Sequence, residues 1–120
     1  MKVKQIKDKF IIRLEKDEKL VEELILFCQQ YNIKQGLILG IGALSQVTIG
    51  YYKLATKNYH FQDFSGDLEV TSLIGNIALL KDKPMIHLHI NISDESFKVY
   101  GGHLKEGVIG PNSRSSFEYD

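Results

Sequence analysis

From Met85 to Ile92 apolar and polar residues alternate without a break, Met-Ile-His-Leu-His-Ile-Asn-Ile. Successive side chains of a strand point to opposite faces of its sheet. Ile86, Leu88, Ile90 and Ile92 therefore make one apolar face directed to a core, while His87, His89 and Asn91 share the other. A solvated strand face ordinarily carries Lys, Glu or Thr, so two histidines in i, i+2 register stand out. A rise of ~3.3 Å per residue sets their Cα atoms roughly 6.6 Å apart, close enough for two imidazoles to converge on one ion.

A third histidine follows from hairpin geometry. If strand 85–93 pairs with strand 99–105 through the loop Asp94–Lys98, His89 lies directly across from His103. Opposed side chains on one face have Cβ atoms about 4.5–5.5 Å apart. Three neutral imidazoles around one point suit zinc with an open fourth position, and nickel, copper or iron(II) take the same donors. His87, His89 and His103 are thus the candidate metal ligands, with Gly101-Gly102 keeping bulk away from them. His60, in Asn-Tyr-His-Phe, has no such partner and is expected to be structural or exposed.

The rest of the chain supplies one helix and several strands. Lys9 to Leu14 reads as a first strand from its β-branched residues. Leu20, Val21, Leu24, Ile25, Cys28 and Tyr31 recur at three- and four-residue spacing, which predicts an amphipathic helix over 17–31. Asp17 offers its N-cap and Asn32 its stop. Strands are then expected at Leu37–Ile41, Val47–Leu54, Leu68–Leu80, Met85–Ile92 and Lys98–Leu104, with turns at Ser65-Gly66-Asp67, Lys81–Pro84 and Ser93–Ser96. One helix followed by a run of strands on short turns predicts an α+β fold: an antiparallel β-sheet with one main amphipathic helix packed on it. The glycines at 36, 40 and 42 do not open a helix, and Ser45 stands where a dinucleotide fingerprint needs its third glycine. They are read as bulges or close sheet contacts.

Composition sets the outer limits. The chain has 120 residues, the size of one domain, and is 43% hydrophobic and 25% charged, which argues against disorder. Fifteen basic residues balance fifteen acidic ones, whereas a domain that lives on nucleic-acid phosphates carries a basic excess. The lysines at 2, 4, 7 and 9 are followed at once by acidic residues and read as a solvated edge. The longest apolar stretches, about ten residues, fall short of a membrane span, and no signal-peptide pattern is seen. A lone Cys28 on the apolar helix face is a packed thiol and fits a reducing cytoplasm.

These segments resemble, in order, the PPC domain family (plant and prokaryote conserved, PD1-like). The resemblance runs from Arg13-Leu-Glu15 through Gly40-Ile-Gly-Ala-Leu-Ser45 and Val47-Thr-Ile-Gly-Tyr-Tyr52. It continues through Leu68–Asn76, His87-Leu-His89 and Gly101-Gly-His-Leu104. It implies an antiparallel sheet with flanking helices assembled as a homotrimer, and a metal site, usually zinc, at His87, His89 and His103. Family members continue past Gly-Gly-His-Leu into a closing strand with a Thr-x-Glu core. Here Gly107–Ser116 is turn-rich, and Ser116-Phe-Glu118 echoes that core faintly, so a single domain over 1–120 is expected with a tail that departs from about 108 and an open final edge.

Three functions are weighed. The first is a cytoplasmic, metal-binding, homotrimeric protein that takes a small anionic ligand. DNA binding of the PD1-like type is the second; plant relatives use a separate AT-hook with an Arg-Gly-Arg-Pro core, and neither Arg13 nor Arg114 lies in one. The third is a zinc-dependent enzyme acting on a small keto or hydroxy acid, similar to acetolactate decarboxylase. It needs a proton-transfer partner, for which Glu69 and Glu106 are candidates by residue type alone.

Overall fold

The computed structural model describes residues 1–111. Its elements run β1 (Lys2–Ile6), β2 (Lys9–Arg13), α1 (Leu20–Gln30), β3 (Gly36–Lys53), β4 (Asn58–Leu80), β5 (Lys83–Ser93) and β6 (Val99–Ile109). All strand pairings are antiparallel, and α1 is the one α-helix among the described residues, so the fold is α+β.

The lysine-rich start forms a strand whose lysines are solvated, as expected of an edge. Lys2 and Lys4 point to solvent while Val3 is half-buried, and β1 forms a hairpin with β2 around Lys7 at φ 58°. Val3, Phe10 and Ile12 pack against a small cluster of Phe27, Cys28 and Ile77 beneath the helix.

Helix α1 begins three residues later than the periodicity predicts. Asp17 is not its N-cap: its φ is 71° and its amide donates to the Ile109 carbonyl at 2.9 Å. Lys19 occupies the N-cap position without a side-chain hydrogen bond. The amides of Val21 and Glu22 instead donate to Glu106 of β6, at 2.7 and 3.2 Å. The C-terminal stop is as expected. Asn32 takes φ 53°, and the Ile33 amide donates to the Cys28 carbonyl, a left-handed cap of the Schellman type.

Strands β3 to β6 close into a barrel in the order β3-β4-β5-β6, with β6 returning to β3. Two separate strands were expected between residues 37 and 54, but β3 runs through them, with register shifts between Gly40 and Gly42 and between Leu44 and Gln46. The first of those bulges is the role expected of Gly40 and Gly42. Ser65-Gly66-Asp67 is not a turn: β4 continues across it, Gly66 at φ 121° absorbing the shift opposite Leu44–Gln46. The reversal lies earlier, at residues 54–57, so that 58–64 pairs with 47–53. Lys81-Asp82, at φ 52° and 65°, makes the tight β4–β5 turn.

The final edge is not open. Gln46 pairs with Val108 and Leu44 with Ile109, which closes the barrel where the composition suggested turns. Gly107 sits inside this strand, where a Cβ would stand 3.0 Å from Cδ1 of Leu44, so it is a close-packed strand residue and not a turn. The Ser116–Glu118 segment lies outside the described residues. The core inside the barrel includes Leu44, Val47, Leu88, Ile90, Ile92, Leu104 and Ile109, with Leu20 and Leu24 of α1 capping it. No helix among the described residues is long and apolar enough to cross a membrane.

Candidate metal centre

The β5–β6 ladder has the register deduced above: His89 pairs with His103, Asn91 with Gly101 and Ser93 with Val99. The turn is held by Asp94, whose carboxylate accepts from the Ser96 amide and hydroxyl and the Lys98 amide. Leu88, Ile90 and Ile92 are buried and Ile86 is half-buried, so His87 and His89 are driven to the outer face. There the three imidazoles meet, with ring centroids 5.1 Å apart for His87–His89, 5.1 Å for His87–His103 and 6.1 Å for His89–His103. Each offers a ring nitrogen, and the three lie within 4.8 Å of one another.

Two observations bear on whether a metal fits. Nδ1 of His103 is buried with no hydrogen-bond partner, a costly state for a polar nitrogen that an ion or its bound water would relieve. Burial, then the charges of His87 and His89, holds the His103 pKa below its ordinary value, favouring the neutral form that ligates metals. Around zinc, with Zn–N of ~2.0–2.1 Å, tetrahedral nitrogens lie roughly 3.3 Å apart. His87 and His89, being exposed, are free to turn inward by that margin. The donor set therefore fits a divalent transition ion.

Glycines set how closely the strands pack around this site. A Cβ at Gly75 would overlap the carbonyl oxygen of His87, so a side chain there would displace β5 at the first histidine. A Cβ at Gly101 would overlap Oδ1 of Asn91, whose amide donates to the Ser72 hydroxyl at 2.9 Å. Exposed aliphatics flank the histidines along the ladders: Leu39 pairs with Ile74, which pairs with His89. On the other side Tyr59 packs its ring on His103. Tyr59 alternates with His60, Phe61 and Gln62 as a strand residue does, but its contact with His103 crosses an intervening strand, which no local pattern reveals.

The remaining candidates lie elsewhere. His60 is exposed and pairs with Tyr51 outside the cluster. Glu69 pairs with Ser93, four residues along β5 from His89, which at ~3.3 Å per residue is roughly 13 Å. Glu106 is occupied as the cap of α1 and accepts its own neighbour's amide, that of Gly107, at 2.9 Å. Neither carboxylate is placed to move a proton at the histidines. Cys28 is buried, and burial raises its thiol pKa, as a packed core residue requires.

Comparison with known proteins gives the chain its relatives. The family model of the Plants and Prokaryotes Conserved (PCC) domain matches residues 1–113. A Bacteroides thetaiotaomicron structure with a provisional DNA-binding description superposes with a TM-score of 0.90 at 28% identity, covering 96% of this chain and 78% of that one. A metal-containing protein from Archaeoglobus fulgidus superposes at 0.78 with 32% identity, covering 82% and 70%. The bifunctional protein GlmU of a Synechococcus strain is 30% identical over 99 residues, or 82% of this chain, which spans just 15% of that protein's length.

Proposed function

The chain belongs to the Plants and Prokaryotes Conserved (PCC) domain family, and on that premise we propose that it binds one divalent transition ion, zinc by preference, through His87, His89 and His103. The observation that carries this reading is the convergence of three ring nitrogens within 4.8 Å on the outer face of β5 and β6. The metal content of the Archaeoglobus fulgidus relative supports it. A bound zinc supplies a Lewis acid with an open position, suited to a small anionic ligand or water. The histidines hold the ion, and the buried isoleucine face of β5 holds the histidines.

We also propose that the chain works as a homotrimer. Leu37, Leu39, Ile41 and Ile74 stand exposed beside the histidines, Leu37 at 86%, and an apolar face of this kind is expected to be covered by a partner subunit. The test of the metal reading is elemental analysis of protein purified without chelator, in wild type and in His87→Ala and His103→Ala. Close to one ion per chain is expected in wild type and almost none in either variant, because two imidazoles seldom hold zinc alone. Equal metal in all three would remove the reading.

DNA binding is a second reading, favoured by the description of the Bacteroides thetaiotaomicron structure. The zero net charge weighs against it. A salt-dependent gel shift of duplex DNA at low micromolar protein would establish it, and the absence of any shift would dispose of it.

A further inference from the structure

We propose that Tyr59 is a positioning residue for His103, acting through a notch that Gly50 leaves in β3; this rests on the three-histidine metal reading above. Gly50 pairs with Phe61 on one side and with His103 on the other. A Cβ built on Gly50 would stand 2.8 Å from Cε1 of Phe61 and 3.2 Å from Cδ1 of Tyr59, so both rings lie across its backbone. Strands two apart in a sheet are ~9.6 Å apart, too far for most side chains to meet over an intervening one. Here β3 has no side chain at the crossing. Tyr59 of β4 reaches over it, and its ring centroid comes within 5.0 Å of the His103 imidazole on β6, inclined by 39°.

Two neighbours hold Tyr59 in that pose. Phe61 stacks on it at 5.5 Å and 15°, and Tyr52 meets it edge-on at 5.2 Å. Lys105, two residues beyond His103, places Nζ 4.5 Å over the Phe61 ring and so ties the far end of the stack back to β6. Burial alone does not account for the arrangement. Tyr59 remains 44% exposed and Phe61 42%, so the rings gain modestly from leaving water. What the stack does determine is the plane of His103. An imidazole ligand is ordinarily aimed by a hydrogen bond from its second ring nitrogen. Packing against Tyr59 adds a constraint on the ring plane that holds whichever nitrogen faces the ion.

The test is a cobalt(II) titration of the full chain followed by visible ligand-field absorption, with circular dichroism to verify folding. Wild type, Tyr59→Phe, Tyr59→Ala and Gly50→Ala are compared, with the exposed His60→Ala as control. Tyr59→Phe keeps the ring and should bind cobalt within about twofold of wild type. Tyr59→Ala should weaken binding about tenfold, the lower end of what loss of outer-shell support costs a metal site, and change the band shape. Gly50→Ala should do the same without touching any ligand, because its methyl group displaces both rings. If Tyr59→Ala does not fold, Tyr59→Leu carries the comparison. Wild-type affinity and bands in Tyr59→Ala and Gly50→Ala overturn the positioning role while leaving the metal reading intact. Failure of wild type itself to take up cobalt overturns the metal reading, and this inference with it.

Discussion

The carboxylate of Glu106 accepts the amide of Val21 at 2.7 Å across 85 residues of sequence, so β6 caps the helix that packs beside it. The same oxygen takes the Gly107 amide, and its companion takes that of Glu22. An acidic group at a helix N-terminus both fills orphan donors and meets the positive end of the helix dipole.

Glu106→Ala should therefore act as the loss of a cap and cost about 1 kcal/mol. For a domain of 120 residues that lowers the melting temperature by roughly 4 °C. Metal content should stay as in wild type. Loss of metal with unchanged stability would return Glu106 to the centre.

His103 sets a pH dependence whose sign is determined. Its folded pKa lies below the ordinary imidazole value, through burial first and then His87 and His89. The unfolded chain, titrating near ~6.5, thus binds this proton more readily than the folded one. Neutral His103 contributes stability that is present above the unfolded value and lost as pH falls through the lower folded value. Chelator-treated protein should melt lower at pH 5 than at pH 7.5, and His103→Gln should narrow that gap. An undiminished gap would assign the acid sensitivity to other groups.

Removing the ion should leave a folded protein. The barrel core of Leu44, Val47, Leu88, Ile90, Ile92 and Ile109 forms without the histidines, at ~1.5–3 kcal/mol for each buried side chain. His89→Ala and chelator-treated wild type are expected to keep their circular dichroism and association state, with a modest loss of melting temperature. Collapse or aggregation on chelation would make the metal structural, as in a zinc finger.

Gly75→Ala probes the sheet beneath His87. Its Cβ would overlap the His87 carbonyl, a backbone atom that moves only if β5 moves. Overpacking of this kind costs typically 1–3 kcal/mol. Both the melting temperature and cobalt affinity should fall, and a variant matching wild type in both would show that β5 yields there freely.

The proposed trimer is checked by light scattering, which should give about three times 13.7 kDa. Ile74→Asp, which puts a charge on the exposed aliphatic face, should shift the mass toward the monomer. A wild type that is monomeric at micromolar concentration would contradict the proposal.

The histidine face could be read from the sequence because its determinants are local. A period of two separates His87 and His89 from Ile86–Ile92, and one five-residue turn sets the opposition of His89 and His103. The parts that escaped are those set by distant pairing. Residues 58–64 carry a short alternation of their own, with Tyr59 and Phe61 between Asn58, His60 and Gln62, but the reach of Tyr59 across β3 to His103 is fixed by the pairing of β3 with both β4 and β6. The helix starts at Leu20 because Asp17 is drawn into a bond with Ile109 and Glu106 supplies the cap. Gly107 looked like turn chemistry, yet it lies within β6, paired with Val47 and packed close to Leu44.

The central claim is tested most directly by crystals grown with zinc and an anomalous difference map collected across the zinc absorption edge. The account predicts one strong peak per chain, ~2.0–2.1 Å from a ring nitrogen of each of His87, His89 and His103. A featureless map at the three imidazoles, or a peak held by other residues, would contradict it.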